Sequence, residues 1–340
     1  MVEWNYMLSA LNDKSFWESR SVFITGASGF LGSWLTQRLV ELGAKITVLV
    51  HDINPIIPFN SIVSDYNKID HIVLGDLLDD KILDRLFNEY EIDTCFHLAA
   101  QAIVGMASKS PVSTFDVNIR GSWNLLEACR KNDNIDRIVI ASTDKVYGDP
   151  TSLPISENNP LLASYPYDAS KVCVDTLSRS YYSTYGLPIA ITRCSNIYGG
   201  GDLNFSRIIP DTIRTLLKNK NPIIRSDGKA IRDYMYVSDT VDAYLQLAYN
   251  LDKTNIKGEA FNFGTNRPTS VLELVNLIVR SSKNKNLKPI VLNEDKHYIK
   301  KQYLNFDKAK KLLNWKPETS LETGIPKTIE WYSNTKNLKL

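Results

Sequence analysis

The stretch Ser21 to Gly32, SVFITGASGFLG, constrains this chain more than any other. Val22 to Thr25 is mostly apolar and reads as a buried strand, and Phe30 to Leu42 has helical periodicity. Between them Gly26, Gly29 and Gly32 recur at three-residue spacing. A strand turning through glycines into a helix lets backbone N–H groups approach a pyrophosphate at the positive helix end, where no Cβ intrudes. The spacing is G-x-x-G-x-x-G, not the commoner G-x-G-x-x-G. Gly26, Ser28, Gly29, Phe30, Leu31 and Gly32 are therefore candidate nucleotide-binding residues. Glycines also serve turns and tight helix packing, so the rest of the chain decides what the nucleotide is for.

Ala44 to Val50 reads as a second strand, followed by His51 and Asp52. An acidic residue about 20 positions past the glycines grips the adenosine ribose hydroxyls in such folds. Asp52 is the candidate, and with no Arg directly after the strand it favours NAD over NADP. His71 to Leu74 is a third strand, running into Gly75-Asp76-Leu77 as an adenine-contacting turn. Thr94 to Leu98 is the fourth, and Leu98, Ala99 and Ala100 at its end leave room for a ligand. Ile138 to Ser142 is the fifth strand and Pro188 to Arg193 the sixth, after a helix over Tyr167 to Tyr185. Strands alternating with helices predict an α/β fold with a doubly wound parallel sheet (Rossmann) and a smaller C-terminal α/β substrate lobe. The expected domains are a helical extension over 1–20, an NAD-binding domain over 21–195, and a mainly substrate-binding lobe over 196–340. Trp4, Met7, Leu8 and Leu11 give the extension one apolar face suited to docking. Phe306 to Pro317 closes the chain with a short amphipathic helix.

Composition narrows the function. Forty basic residues against 38 acidic ones, a net charge of +2, argue against a dedicated nucleic-acid binder. Four scattered cysteines form no C-x-x-C pair and read as free thiols in a reducing compartment. Four histidines at no ligand spacing predict no bound metal. Neither a signal peptide nor a membrane span is legible, so a cytoplasmic protein is expected.

Tyr167-Asp168-Ala169-Ser170-Lys171 opens a helical pattern, and positions i and i+4 share a face. An ammonium beside a phenol favours the phenolate, which can take the proton of a sugar hydroxyl while its carbon gives up hydride. With this pair the chain resembles the extended short-chain dehydrogenase/reductases that act on nucleotide sugars. The matching stretches are TGASGFLG, GD at 75–76, HLAAQ, the N-x-x-G-S of Asn118 to Ser122, STDKVYG, YDASK, RCSNIYG and RDYMYVSD. They run in family order across nearly the whole chain.

The resemblance implies further roles. Thr143 hydrogen-bonds the reacting hydroxyl, with Tyr167 and Lys171 completing the catalytic set. Epimerases place inert residues after that threonine, whereas dehydratases place an acid and a second functional residue. Asp144-Lys145 here is similar to the CDP-glucose 4,6-dehydratases, the dTDP-glucose type having Asp-Glu. RDYMYVSD, by contrast, has the wording of the wider family. Asp144 is expected to act as acid toward the 6-hydroxyl, and Lys145 as either the C5 base or a charged enolate stabiliser. Gln101, Asn118, Asn196, Arg207 and Arg232 are expected to hold the nucleotide sugar, and helices over Asn118–Cys129 and Tyr167–Tyr185 to pair in a homodimer. The alternatives are an NAD-dependent 4-epimerase and a non-catalytic NAD-binding scaffold.

Overall fold

The strands of the central sheet are short and mostly apolar, and helices lie between most of them, the pattern that buries a parallel sheet between two helical layers. The computed structural model describes residues 11, 13–51, 62, 63, 65–294 and 299–334. Seven strands form the sheet: β1 Ser21–Thr25, β2 Lys45–Val50, β3 His71–Leu74, β4 Thr94–His97, β5 Arg137–Ala141, β6 Ile189–Cys194 and β7 Ala260–Phe263. Their order is β7-β6-β5-β4-β1-β2-β3, and every pairing is parallel. The order reverses between β1 and β4, where open α/β sheets bind ligands.

Side chains alternate across β1. Val22 and Ile24 pack with Leu35 and Leu39 of α1, Phe30–Leu42, and with Val241 and Leu245 of a later helix, Val237–Tyr249. Phe23 points to the other face and joins Leu83 and Leu86 of the helix Asp80–Glu89, Leu125 and Leu126 of Gly121–Arg130, and Val174 of Pro166–Tyr185. Gly43 ends α1 in the left-handed region, φ +82°, which glycine adopts without strain.

Chain order and packing part company after residue 195. β7 completes the sheet and Val237–Tyr249 covers it, so part of the C-terminal half belongs to the nucleotide-binding body. A second core, with Tyr198, Ile213, Leu274 and Ile325, defines the smaller lobe. The terminal segment over Phe306–Pro317 holds a helix at Asp307–Leu313, and a further helix follows at Leu321–Asn334 despite Pro326 within it. Of the N-terminal extension, Trp4, Met7 and Leu8 lie outside the described residues. Leu11 packs on the body, Asp13 caps the turn Lys14–Glu18, and Trp17 is fully buried. No described helix is long and apolar enough to cross a membrane.

Candidate active site

The glycine turn shows why those positions lack side chains. Gly26 has φ +73°, and a Cβ there would meet Ala99 N at 2.7 Å. A Cβ on Gly32 would lie 2.0 Å from the Gly26 carbonyl oxygen, so α1 can start this close to β1 only with glycine. Gly29 caps α1 without a side-chain hydrogen bond, and the helix's first N–H groups open into a cleft of about 930 Å³. Gly26, Ser28, Gly29, Phe30, Leu31, Gly32, Asp76, Leu77, Leu98, Ala99 and Ala100 all line it. This cradle of backbone donors fits the pyrophosphate of a dinucleotide. Asp52 lies outside the described residues; His51, also in the cleft, pairs with Asp76 at 3.2 Å.

The far wall holds Thr143, Asp144, Lys145, Tyr167 and Lys171, brought together because β5 ends where the helix Pro166–Tyr185 begins. Thr143 accepts from Lys145 N and donates to Asp144 Oδ1 at 3.2 Å. Lys145 Nζ donates to Asp144 Oδ1 at 2.8 Å and to Gln302 Oε1 at 2.8 Å. Asp144 is 1 % exposed, and its Oδ2 has no partner among the described residues. A buried carboxylate oxygen without a donor is an unsatisfied acceptor, costly unless something supplies a hydrogen bond.

Burial pushes the Tyr167 phenol up to about 12, and the cation that pulls it down is Arg207. Lys171, four residues on, donates from its ammonium to the Ala141 carbonyl at 2.8 Å, and burial pushes it down to about 8. Asp168, one residue past Tyr167, is buried with Oδ1 unpartnered and is pushed up to about 6 by burial.

Two networks hold this wall. Arg193 of β6, 1 % exposed, donates to both Asp175 oxygens at 2.8 Å and to Tyr147 Oη at 2.8 Å, while Tyr147 donates to Asn262 of β7 at 2.6 Å. Tyr147 thereby pins the turn that carries Asp144 and Lys145. The second network starts at β1: Thr25 Oγ1 lies 2.7 Å from His97 Nδ1, and His97 Nε2 lies 2.8 Å from Ser122 Oγ. Burial pushes the His97 imidazole down to about 3, so it is neutral. Ser122 donates to the Asn118 carbonyl, Asn118 Nδ2 donates to Ser170 Oγ, and Ser170 donates to the Tyr167 carbonyl. The glycine strand and the Tyr167 helix are thus joined through hydrogen bonds.

The family model described as GDP-mannose 4,6 dehydratase matches residues 23–328. The chain belongs to that family. Its members are sugar-nucleotide dehydratases and epimerases of the extended short-chain dehydrogenase/reductase type. A Methanocaldococcus jannaschii protein provisionally named UDP-glucose 4-epimerase is 34 % identical, over 92 % of this chain and 98 % of its own. CDP-glucose 4,6-dehydratase of Salmonella typhimurium is 29 % identical, over 94 % and 92 %. The Bacillus anthracis dTDP-glucose 4,6-dehydratase, solved in complex with NAD, superposes with a TM-score of 0.81 at 25 % identity, covering 94 % of this chain and 98 % of its own.

Within this family member the expected substrate residues divide. Gln101, Asn196, Arg207 and Arg232 line the cleft. Arg207 also pairs with Asp202 at 2.9 Å, Asn196 Nδ2 donates to the Asp233 carbonyl, and Arg232 donates to the Ile231 carbonyl. Asn118 does not touch the cleft. A π-helical turn over Asp116–Arg120 buries it, and its Oδ1 accepts from Gln101 N at 2.7 Å, so it shapes the wall from behind. The sequence reading missed Gln302, 157 positions from Lys145, and the cleft-lining Ser142 and Ser195, whose buried hydroxyls have no partner among the described residues. The serines each precede an expected site residue, which was the signal available. Gln302 left none, because only folding brings it to Lys145.

Proposed function

We propose that this protein is a sugar-nucleotide 4,6-dehydratase of the CDP-glucose type, converting a nucleotide hexose to its 4-keto-6-deoxy product. One observation carries the reading: the Asp144–Lys145 pair, set in the cleft wall beside Thr143 and Tyr167, with Asp144 Oδ2 awaiting a donor. Epimerisation at C4 needs the phenol alone; loss of water needs an acid and a base as well.

NAD, held by the glycine turn, would supply a hydride acceptor that is restored within each turnover. The NAD-bound relative supports that choice. Tyr167, acting as the phenolate that Arg207 and Thr143 favour against burial, takes the proton of the 4-hydroxyl as C4 becomes a ketone, and the ketone acidifies C5–H. The working form of the pair is an amine and an acid, with the acid proton on Asp144 Oδ2 while Oδ1 goes on accepting an N–H from Lys145 across 2.8 Å. The C5–H bond breaks with its proton passing to Lys145. The C6–O bond breaks with the oxygen leaving as water on the proton of Asp144, and Lys145 returns a proton to Asp144. Hydride would then return to C6 while C5 regains a proton, made up by the one that Tyr167 took from the 4-hydroxyl, so no outside acid or base is consumed. Arg207 and Arg232 carry the charge suited to the diphosphate. The same proposal includes a homodimer, supported by the exposed Val112, Phe115, Trp123 and Tyr185 on and beside the helices expected to pair.

The test is mass spectrometry of the purified protein with CDP-glucose and, in parallel, dTDP-, GDP- and UDP-sugars. Loss of one water from CDP-glucose alone supports the reading. Isomerisation at constant mass, the activity suggested by the M. jannaschii relative's name, replaces it with an epimerase.

A further inference from the structure

The Asp144–Lys145 pair is held by a residue that neither the motif nor the reaction accounts for. Gln302 lies on the segment before the helix Asp307–Leu313 and is fully buried. Its Oε1 accepts from Lys145 Nζ at 2.8 Å, and its Nε2 donates to the Asp144 carbonyl at 3.0 Å. That second bond fixes which end of the amide faces the lysine, because a carbonyl can only accept. The segment itself is anchored: Gln302 N donates to the Ile231 carbonyl, and Leu304 N and the turn at Thr265 both bind Asp233.

The consequence is directional. A lysine nitrogen has three positions besides its own carbon. Asp144 Oδ1 and Gln302 Oε1 each take an N–H, which leaves a single tetrahedral position. Lys145 lines the cleft, and in the amine form that remaining position is the lone pair. A flexible four-carbon stem with one acceptor would sweep a cone; a second acceptor on a buried, anchored amide confines it.

We infer that Gln302 is a positioning residue for the dehydration step, confining Lys145 Nζ so that its one uncommitted position serves the C5 proton. This rests on the dehydratase reading. It adds a residue from the distant C-terminal segment, and with it a requirement that this segment be docked for water to be lost. Oxidation at C4 depends on Thr143 and Tyr167 and has no such requirement.

The test uses the full-length protein loaded with NAD. Two readouts are taken: water loss from the nucleotide sugar, and exchange of the C5 hydrogen of the 4-keto-6-deoxy product with solvent deuterium. The second needs only the base and the existing ketone. Gln302→Leu removes both amide bonds at similar volume. It is expected to lower both rates about 100-fold, the scale for misplacing a reacting group by about 1 Å, with KM unchanged. Lys145→Met and the Lys145→Met/Gln302→Leu double variant complete a cycle. If Gln302 acts through Lys145, the double variant is no slower than Lys145→Met; a general structural defect would add its full loss. Should Gln302→Leu not fold, Gln302→Glu, which keeps an acceptor for Nζ, is expected to retain exchange within about tenfold of wild type. The inference is overturned if Gln302→Leu retains both rates, if the losses add, or if a folded Gln302→Glu exchanges as poorly as Lys145→Met. Wild-type protein that neither exchanges C5 hydrogen nor loses water overturns the dehydratase reading instead.

Discussion

Replacing Asp168 with asparagine should stabilise this protein at neutral and alkaline pH. Asp168 is 4 % exposed and one of its oxygens has no partner among the described residues. Burial lifts its carboxyl from the ordinary 3.8 to about 6; the attraction of Lys145 offsets part of that rise, and repulsion from Asp144 adds to it. Because the folded value is the higher one, the native state binds more protons than the unfolded state between those limits. Stability therefore falls as pH rises through that window and stays reduced above it. A shift of about two units at about 1.4 kcal/mol each gives a cost of about 3 kcal/mol at pH 8. At about pH 5 the cost is roughly half as large, and below about pH 4 it nearly vanishes. Asp168→Asn removes the charge at nearly constant shape. Urea unfolding of both proteins should show the variant more stable by about 3 kcal/mol at pH 8, with the gain shrinking as pH falls. A gain equal at both pH values, or a loss at pH 8, would refute the reasoning and mean that Lys145 gives this carboxylate more than burial takes.

Three further outcomes follow from the same geometry. Tyr167→Phe removes the proton-accepting oxygen and should cut turnover by about 10²- to 10⁴-fold while the urea midpoint stays put, as steady-state kinetics beside unfolding will show. Asp175→Asn leaves the Arg193 guanidinium without its carboxylate in the interior and should cost about 3–5 kcal/mol in urea unfolding; a loss under about 1 kcal/mol would mean that Arg193 re-pairs. Gly32→Ala puts a methyl against the Gly26 carbonyl and should strip the purified protein of dinucleotide, measured as the NAD released on denaturation.

Much of the site was legible in the sequence because its parts are local. The glycine turn, Thr143 to Lys145, and Tyr167 to Lys171 each lie on one strand end or one helix turn, where spacing alone determines which face a residue occupies. Six of the seven sheet strands were readable for a related reason: each is a short, mostly apolar run. β7 escaped, since AFNF after Glu259 in a loosely alternating region has no periodicity to mark it. The helix Leu321–Asn334 escaped because Gly324 and Pro326 read as breakers; packing of Leu321, Ile325 and Tyr332 into the smaller core overrides that local cost.

What the tertiary structure alone decided is how charges and hydrogen bonds pair across the chain. The residue types at 143–145, 167 and 171, on which the proposed chemistry rests, follow from the sequence. That Lys171 spends its ammonium on a strand carbonyl, that Arg207 is the cation acting on Tyr167, that Asn118 faces inward, and that Gln302 reaches Lys145 do not. Each depends on segments separated in sequence being packed where water is excluded. There an unpaired polar group costs about 1–3 kcal/mol, so partners are dictated by which groups the fold encloses together.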